Sequence, residues 1–401
     1  MSSDLVDRVR QRLATGSTPL DLGSAPVDLG ELAGQESALL LDSGARSQLS
    51  GQLAAELTGA GPLEELLAGA GVTDVLVNAP DRVWVDRGAG LERVPVRFDS
   101  DAAVRRLATR LAAQAGRRLD DAAPFVDAVL PDGTRLHAIL PPLVASPTLS
   151  LRVLARRRWA LADLVAFAAM PGEVAELLAA LVQARLSLLI SGGTGTGKTT
   201  LLAALLATVS PAERITIEDT AELTVRHPHV VALLARSANV EGAGAVELRE
   251  LVRQALRMRA DRLVVGEFRG AEIVELLAAL NTGHSGGAAT VHANSVTDVP
   301  ARLVALAALG GMSAAALQAQ AASALDVLVH IRRDRTGLRR VEQLALWPAE
   351  SLTVEPSLIW TRSGGTGPAA DTLRLLLEAA EVGIPALLAD PLLGDPSSCR
   401  F

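Results

Sequence analysis

A single cysteine, Cys399, stands near the end of a chain of 401 residues. It allows no internal disulfide and no thiolate set for zinc, as expected in a reducing compartment. Tyrosine is absent, and five Phe and four Trp are the only aromatics, so platforms for stacking single-stranded bases are scarce. Positive charge is in deficit: 38 Lys and Arg against 45 Asp and Glu leave a net charge of −7. That balance argues against a broad nucleic-acid surface, though a local basic channel stays open; no stable nucleic-acid binding is expected. The start, MSSDLVDRVRQRL, lacks the apolar core of a signal peptide. The longest uncharged run, Leu303 to Leu325, contains Gly310-Gly311, Gln318 and Gln320. It reads as two helices broken at the glycine pair rather than a membrane span. A cytoplasmic protein is expected.

Lysine is the scarcest cation: Lys198 is the only one in the chain, all other positive side chains being arginine. It sits in LSLLISGGTGTGKTTLL (Leu186 to Leu202), an apolar run, a glycine-rich turn and a helical pattern. Gly192, Gly193, Thr194, Gly195, Thr196, Gly197, Lys198, Thr199 and Thr200 carry the phosphate-cradling pattern G-x-x-x-x-G-K-[ST]. The glycines let backbone N–H groups approach an anion, and the helix after Gly197 turns its positive end towards it. A compact ammonium with rotatable donors suits such a nest better than a planar guanidinium. Lys198 would reach the β- and γ-phosphates of ATP, and Thr199 would offer its hydroxyl to Mg²⁺. The plain alternative is a glycine turn before an ordinary helix.

The chain falls into four stretches. Residues 1–60 read as helical patterns near 1–15 and 43–58 around a Pro/Gly/Ser-rich linker. Residues 61–155 form a smaller α+β region. Its strands are expected at Val72–Val77, Arg82–Val85, Leu91–Phe98, Val126–Leu130, Thr134–Leu140 and Thr148–Leu154, with a helix capped by Ser100 and ended at Gly116. Residues 160–348 alternate helices with strands at Leu186–Ser191, Arg214–Glu218, Val230–Leu234, Leu263–Gly266 and Ala288–His292, which predicts a largely parallel α/β sheet. Strands at Val327–Arg332 and Arg339–Leu346 close this unit. Residues 349–401 lose the periodicity apart from a helix near Asp371–Ala380.

Three more stretches carry chemistry. Arg262-Leu-Val-Val-Gly-Glu267 is an apolar strand ending in an acid, where a phosphate-loop enzyme holds its attacking water and metal. With Gly266 where many such enzymes have Asp, Glu267 becomes the candidate general base or water orienter and a metal residue. Arg214-Ile-Thr-Ile-Glu218-Asp219 puts two carboxylates at a strand's C-terminal end, with Glu222 close behind. Glu218 or Asp219 could hold Mg²⁺ through water, or the acids could stabilise a helix N-terminus. Asn281-Thr-Gly-His284-Ser-Gly-Gly-Ala-Ala-Thr-Val-His292 places two histidines around a glycine-rich turn. Zinc lacks a completing ligand there, whereas His284 and His292 could both face the phosphate edge as γ-phosphate sensors. His227 and His229 read as loop residues.

In this order GGTGTGKTT, ITIEDTAEL, LVVGEFRGAE and NTGHSGGAATVHANS resemble the Walker A, Asp box, Walker B and His box of secretion-type traffic ATPases. With Arg257-Met-Arg259 before Walker B, the set is most similar to the tight-adherence (Flp) pilus assembly ATPases, the CpaF/TadA type, over residues 60 to 347. The resemblance implies a RecA-like P-loop motor joined to a smaller N-terminal PAS-like domain, assembled as a homo-hexamer at the inner face of the cell membrane. It implies ATP hydrolysis that pushes on an inner-membrane platform protein, with arginines of the N-terminal domain reaching the phosphates. Arg135 and Arg152 match those positions, although an outward arginine on a strand is unremarkable by itself. The missing four-cysteine module argues against the type II branch, and Phe268 stands where the tight-adherence branch usually has valine. A RecA-like nucleic-acid translocase, as in conjugal DNA transfer, is the competing reading; a nucleotide-binding regulator without turnover would leave Glu267 idle. An amine-reactive ATP analogue should attach only at Lys198 and the chain's N-terminus. Nucleotide-protectable label outside the peptide 192–200 would contradict the loop assignment.

Overall fold

The protein is described by a computed structural model over residues 59–88, 90–153, 159–218, 223–235, 244–348, 350–351 and 355–389. The helices expected before residue 59, Arg156-Arg157-Arg158, Asp219, Glu222 and Cys399 lie outside these residues. The chain divides into two compact units, Met1–Ala155 and Arg156–Phe401.

The first unit has a short helix α1 (Glu64–Leu67), strands β1 (Asp74–Ala79), β2 (Arg82–Asp86) and β3 (Leu91–Val94), helix α2 (Asp101–Gln114), and strands β4 (Phe125–Val129), β5 (Arg135–Ile139) and β6 (Thr148–Arg152). Its sheet runs β3-β2-β1-β6-β5-β4, every neighbour antiparallel. Alternate residues point inward, as a half-buried sheet requires: Val75 and Val77, Val83 and Val85, Leu136 and Ala138, Leu149 and Leu151 are buried. They meet Val104, Leu107, Ala108 and Leu111, the apolar stripe of α2, at the spacing of one helical face. Ser100 accepts a hydrogen bond from the Ala103 N–H at 3.3 Å, the expected N-cap. The expected third strand ends early, at Val94 rather than Phe98, because Pro95 offers no N–H to a neighbour.

The second unit follows as α3 (Leu161–Ala166), α4 (Gly172–Gln183), β7 (Leu188–Ser191), α5 (Lys198–Leu206), β8 (Ile215–Glu218), β9 (Val230–Leu233), α6 (Leu248–Ala255), β10 (Arg262–Val265), α7 (Ile273–Leu280), β11 (Ala288–Val291), α8 (Val299–Leu309), α9 (Ala314–Ala324), β12 (Val327–Arg333), β13 (Arg339–Leu346), β14 (Ser357–Thr361), β15 (Gly365–Thr366) and α10 (Ala370–Ala379). The sheet order is β15-β14-β13-β12-β7-β11-β10-β8-β9. From β12 through β9 all pairs are parallel, and β12, β13, β14 and β15 are joined antiparallel. The central strands β7, β10 and β11 are buried along their whole length, because helices cover both faces. Alternate residues feed two cores. Leu188, Ile190 and Val264 pack with α4 and α5 on one side; Leu189, Leu263 and Val265 pack with α7, α8 and α9 on the other.

The run from Leu303 to Leu325 is the helix pair α8 and α9, bent by 118° at its break. Leu303, Leu306, Leu317 and Ala321 are buried in the second core. Among the described residues no single helix is long and apolar enough to cross a membrane.

The expectation that regular structure fades after Pro348 is corrected. β14 pairs with β13, and Ile359 and Trp360 of β14 join Leu373 and Leu377 of α10 in the first core. The segment is too short to announce itself: five residues, bounded by Pro356 and Gly364-Gly365, whose partner strand alone makes it a strand. Trp360 is 3 % exposed, so Trp360→Ala should destabilise this unit by about 3–5 kcal/mol. Denaturant unfolding of the full chain measures this; a shift below about 1 kcal/mol would mean that β14 lies outside the core.

Candidate functional site

All five parallel strands beside β12 end on one edge of the sheet, where loops can meet a ligand. β7 ends at Ser191, and the chain turns through Gly192 to Gly197 into α5. Two glycines are dictated by geometry. A Cβ on Gly192 would lie 2.4 Å from the Ile331 carbonyl oxygen of β12. Gly197, the residue before α5, has φ of 97°, a left-handed conformation open to glycine at little cost. Thr196 Oγ1 donates to the Gly193 carbonyl at 2.9 Å, tightening the turn.

Lys198 is the first residue of α5 and only 6 % exposed. Its Nζ donates to the carbonyls of Gly192 (3.1 Å) and Gly193 (3.2 Å) and to His292 Nδ1 (3.3 Å). Glu267 Oε1 lies 3.7 Å away. A buried ammonium needs its donors used and its charge balanced, and this arrangement does both.

Glu267 follows β10 by two residues. His292 Nε2 donates to its Oε1 at 2.5 Å, while Arg269 donates to its Oε2 through Nη2 (2.5 Å) and Nε (2.8 Å). Burial pushes the Glu267 carboxyl up, but the hydrogen bond and charge of Arg269, with the charges of His292 and Lys198, outweigh it and hold the group below its ordinary 4.5. Burial and the neighbouring Lys198 in turn push His292 below its ordinary 6.5. His292 is therefore neutral near pH 7. The partners fix its tautomer: Nε2 carries the proton, and Nδ1 accepts from Lys198.

The sheet register sorts the other candidates. Glu218 ends β8 directly opposite Val265 of β10, so its backbone lies on the same edge as Glu267; its side chain is outside the description, as is Asp219. His284 is a correction. It precedes β11 while His292 follows it, and a parallel strand carries the chain from one edge of the sheet to the other. His284 therefore sits at the edge away from the phosphate loop, its Nδ1 at 3.2 Å from the Ala279 carbonyl. His227 lies in a loop against the Ser210 carbonyl at 3.0 Å. In the first unit, Arg135 of β5 and Arg152 of β6 are direct cross-strand partners, and Arg152 also faces Asp74 of β1.

A cavity of about 410 Å³ opens beside the loop, lined by Gly193, Thr194, His292, Asn294, Asp298 and Arg302 among others. Sequence reasoning missed Arg302, Arg269 and Arg339, whose Nε donates to the Gly195 carbonyl at 2.9 Å. It also missed His330, buried on β12 with Nδ1 at 3.0 Å from Ser191 Oγ and held neutral mainly by desolvation. For Arg269 the only available signal was its place two residues after Glu267.

Residues 56–340 match the family model described as type II/IV secretion system protein. The chain belongs to this family. Over 335 residues it is 56% identical to a Mycobacterium tuberculosis protein whose name assigns it provisionally to conjugal transfer, covering 82% of this chain and 95% of that one. It is 33% identical to the conjugal transfer protein TrbB of Rhizobium radiobacter, over 68% of this chain and 83% of the relative. The crystal structure of the pilus retraction motor PilT with bound ADP shares the fold at a TM-score of 0.51 and 22% identity, covering 71% of this chain and 81% of that one. The chain thus has a RecA-like α/β fold with a smaller N-terminal α+β domain.

The donor set suits Mg²⁺ held largely by a nucleotide. Among the described residues no group of three or more His, Cys, Asp or Glu could cage a metal, and Mg²⁺ characteristically takes one or two protein oxygens beside phosphates and water. Thr199, next to Lys198 in the first turn of α5, would supply a hydroxyl. Glu267 would supply a carboxylate from the same edge, where the backbone of Glu218 also lies.

The His292 geometry has a consequence for stability against pH. The unfolded chain protonates this group near 6.5, the folded protein lower, so its contribution is full above about 6.5 and declines as pH falls towards the folded value. Thermal unfolding from pH 8 to pH 5 should show wild type losing more Tm than His292→Gln; identical pH dependence would contradict the neutral assignment.

Proposed function

We propose that this type II/IV secretion system protein hydrolyses ATP with Mg²⁺ and uses the energy to drive assembly of a tight-adherence (Flp) type IV pilus or a related secretion machine. The observation that carries the reading is the phosphate loop meeting Glu267 and His292 at Lys198: a phosphate-binding cation, an acid able to orient water, and a neutral imidazole between them. Gly192 to Thr200 cradle the polyphosphate, and Lys198 leaves its resting partners for the β- and γ-phosphates. Glu267 orients the attacking water and accepts its proton. His292, relieved of Lys198, reports the γ-phosphate. Thr199, with Glu218 or Asp219 through water, would hold Mg²⁺, which would supply positive charge to the triphosphate.

Arg135 and Arg152, direct cross-strand partners, are by motif resemblance the candidate phosphate-reaching arginines of the N-terminal domain. By the resemblance of its motifs, the chain works as a homo-hexamer at the cytoplasmic face of the membrane, changing domain angles against an inner-membrane platform protein. The conjugal-transfer names of its relatives favour a second reading, in which the machine served moves DNA. The motor itself then need not hold nucleic acid, in keeping with its net charge of −7; salt-sensitive retention on immobilised DNA would instead favour a translocase.

The test is Glu267→Gln, which keeps shape and hydrogen-bonding reach but removes the proton acceptor. Loss of a positioned base typically costs about 10²–10⁴-fold in rate, so kcat should fall by that much while ATP affinity is retained. A kcat within a few-fold of wild type would transfer the role to another acid, and loss of ATP binding would leave Glu267 a metal-holding or structural residue with no part in activating water.

A further inference from the structure

The hairpin joining β12 and β13 reads Arg332-Arg-Asp-Arg-Thr-Gly-Leu-Arg-Arg340: five arginines and one acid within nine residues of a chain whose net charge is −7. Its register sets like charges face to face, Arg332 opposite Arg340 and Arg333 opposite Arg339. Such pairs destabilise a hairpin, so folding alone does not call for them. Asp334 is used within the turn. Its side chain accepts from the Thr336 N–H (2.9 Å), the Thr336 hydroxyl (2.6 Å) and the Leu338 N–H (3.0 Å), and it pairs with Arg340 at 3.2 Å.

The place of the hairpin is as telling as its charge. His330 of β12 is in register with Ser191, the last residue of β7. β12 then continues through Ile331, Arg332 and Arg333 while the neighbouring chain turns into the phosphate loop. The hairpin therefore stands beside the loop. The Ile331 carbonyl closes against Gly192, the Arg339 side-chain stem packs against Gly197, and the Arg339 guanidinium donates to the Gly195 carbonyl at 2.9 Å.

We infer that Arg339 is a positioning residue for the phosphate nest. The inference rests on the ATPase reading and adds a residue to it. In a trans peptide the C=O and the following N–H point to opposite sides. Drawing the Gly195 carbonyl outward to Arg339 therefore turns the Thr196 N–H inward, to the side on which the loop receives phosphate. Glycines free that peptide to rotate, since Gly195 itself has φ of 70°; a charged donor bonded to its oxygen limits the rotation. Arg339 thus acts through the loop backbone on the phosphates common to ADP and ATP, and has no part in the chemical step.

The experiment compares full-length R339A, R339K and R335A by titration with ADP and with ATP in Mg²⁺, by steady-state hydrolysis, and by thermal unfolding without nucleotide. Losing a charge-assisted hydrogen bond should weaken ADP and ATP equally in R339A, by about ten- to a hundredfold. KM should rise by a similar factor with kcat unchanged, the pattern of lost uniform binding. Unfolding without nucleotide should not move, R339K should recover part of the affinity, and R335A, altered at the turn, should match wild type. Unchanged affinity in R339A, a loss confined to ATP, or an equal loss in R335A would each overturn the inference while leaving the ATPase reading intact. A wild-type protein that binds neither nucleotide would overturn that reading, and the inference with it.

Discussion

The structure depends on one buried charge. Lys198 is the only lysine in the chain, and its ammonium lies inside a turn where water reaches it poorly. Such a charge is tolerated because two backbone carbonyls, an imidazole nitrogen and a nearby carboxylate surround it. Those partners come from three separate pieces of chain: the phosphate loop, the turn after β10 and the residue after β11. The sheet brings the three together, since β7, β11 and β10 are parallel neighbours that end on one edge.

Each partner of Lys198 is in turn held by others. Arg269 grips the free oxygen of Glu267, His330 sits under Ser191 at the root of the loop, and Arg339 fixes the loop's outer carbonyl. The charge of Lys198 is therefore balanced by protein groups alone. On the proposed ATPase reading, a triphosphate competes with these partners for Lys198, and binding would free His292 and Glu267 for new contacts. On that reading, such an exchange would link the occupancy of the loop to movement elsewhere.

Much of this was legible in the sequence because it is local. The phosphate loop is a contiguous string with a backbone logic of its own, and β7, β10 and β11 are apolar runs too short and too buried for anything but strands. What could not be read depends on pairing across the fold. β14 becomes a strand by lying against β13. His284 and His292 look equivalent in a twelve-residue stretch until a strand between them carries one to each edge of the sheet. Arg339 is one of five arginines in its hairpin, singled out only by the tertiary contact to Gly195. Arg269 matters through the acid two residues before it, a proximity that sequence displays without saying which way either side chain points.

The central claim is that Lys198 and its loop hold the phosphates of a nucleotide. Calorimetric titration of Mg²⁺-ATP into wild type and Lys198→Ala addresses it directly, with thermal unfolding confirming that the variant is folded. The account predicts saturable binding by wild type and none by folded Lys198→Ala at the concentrations that saturate wild type. Equal binding by the two proteins would contradict it.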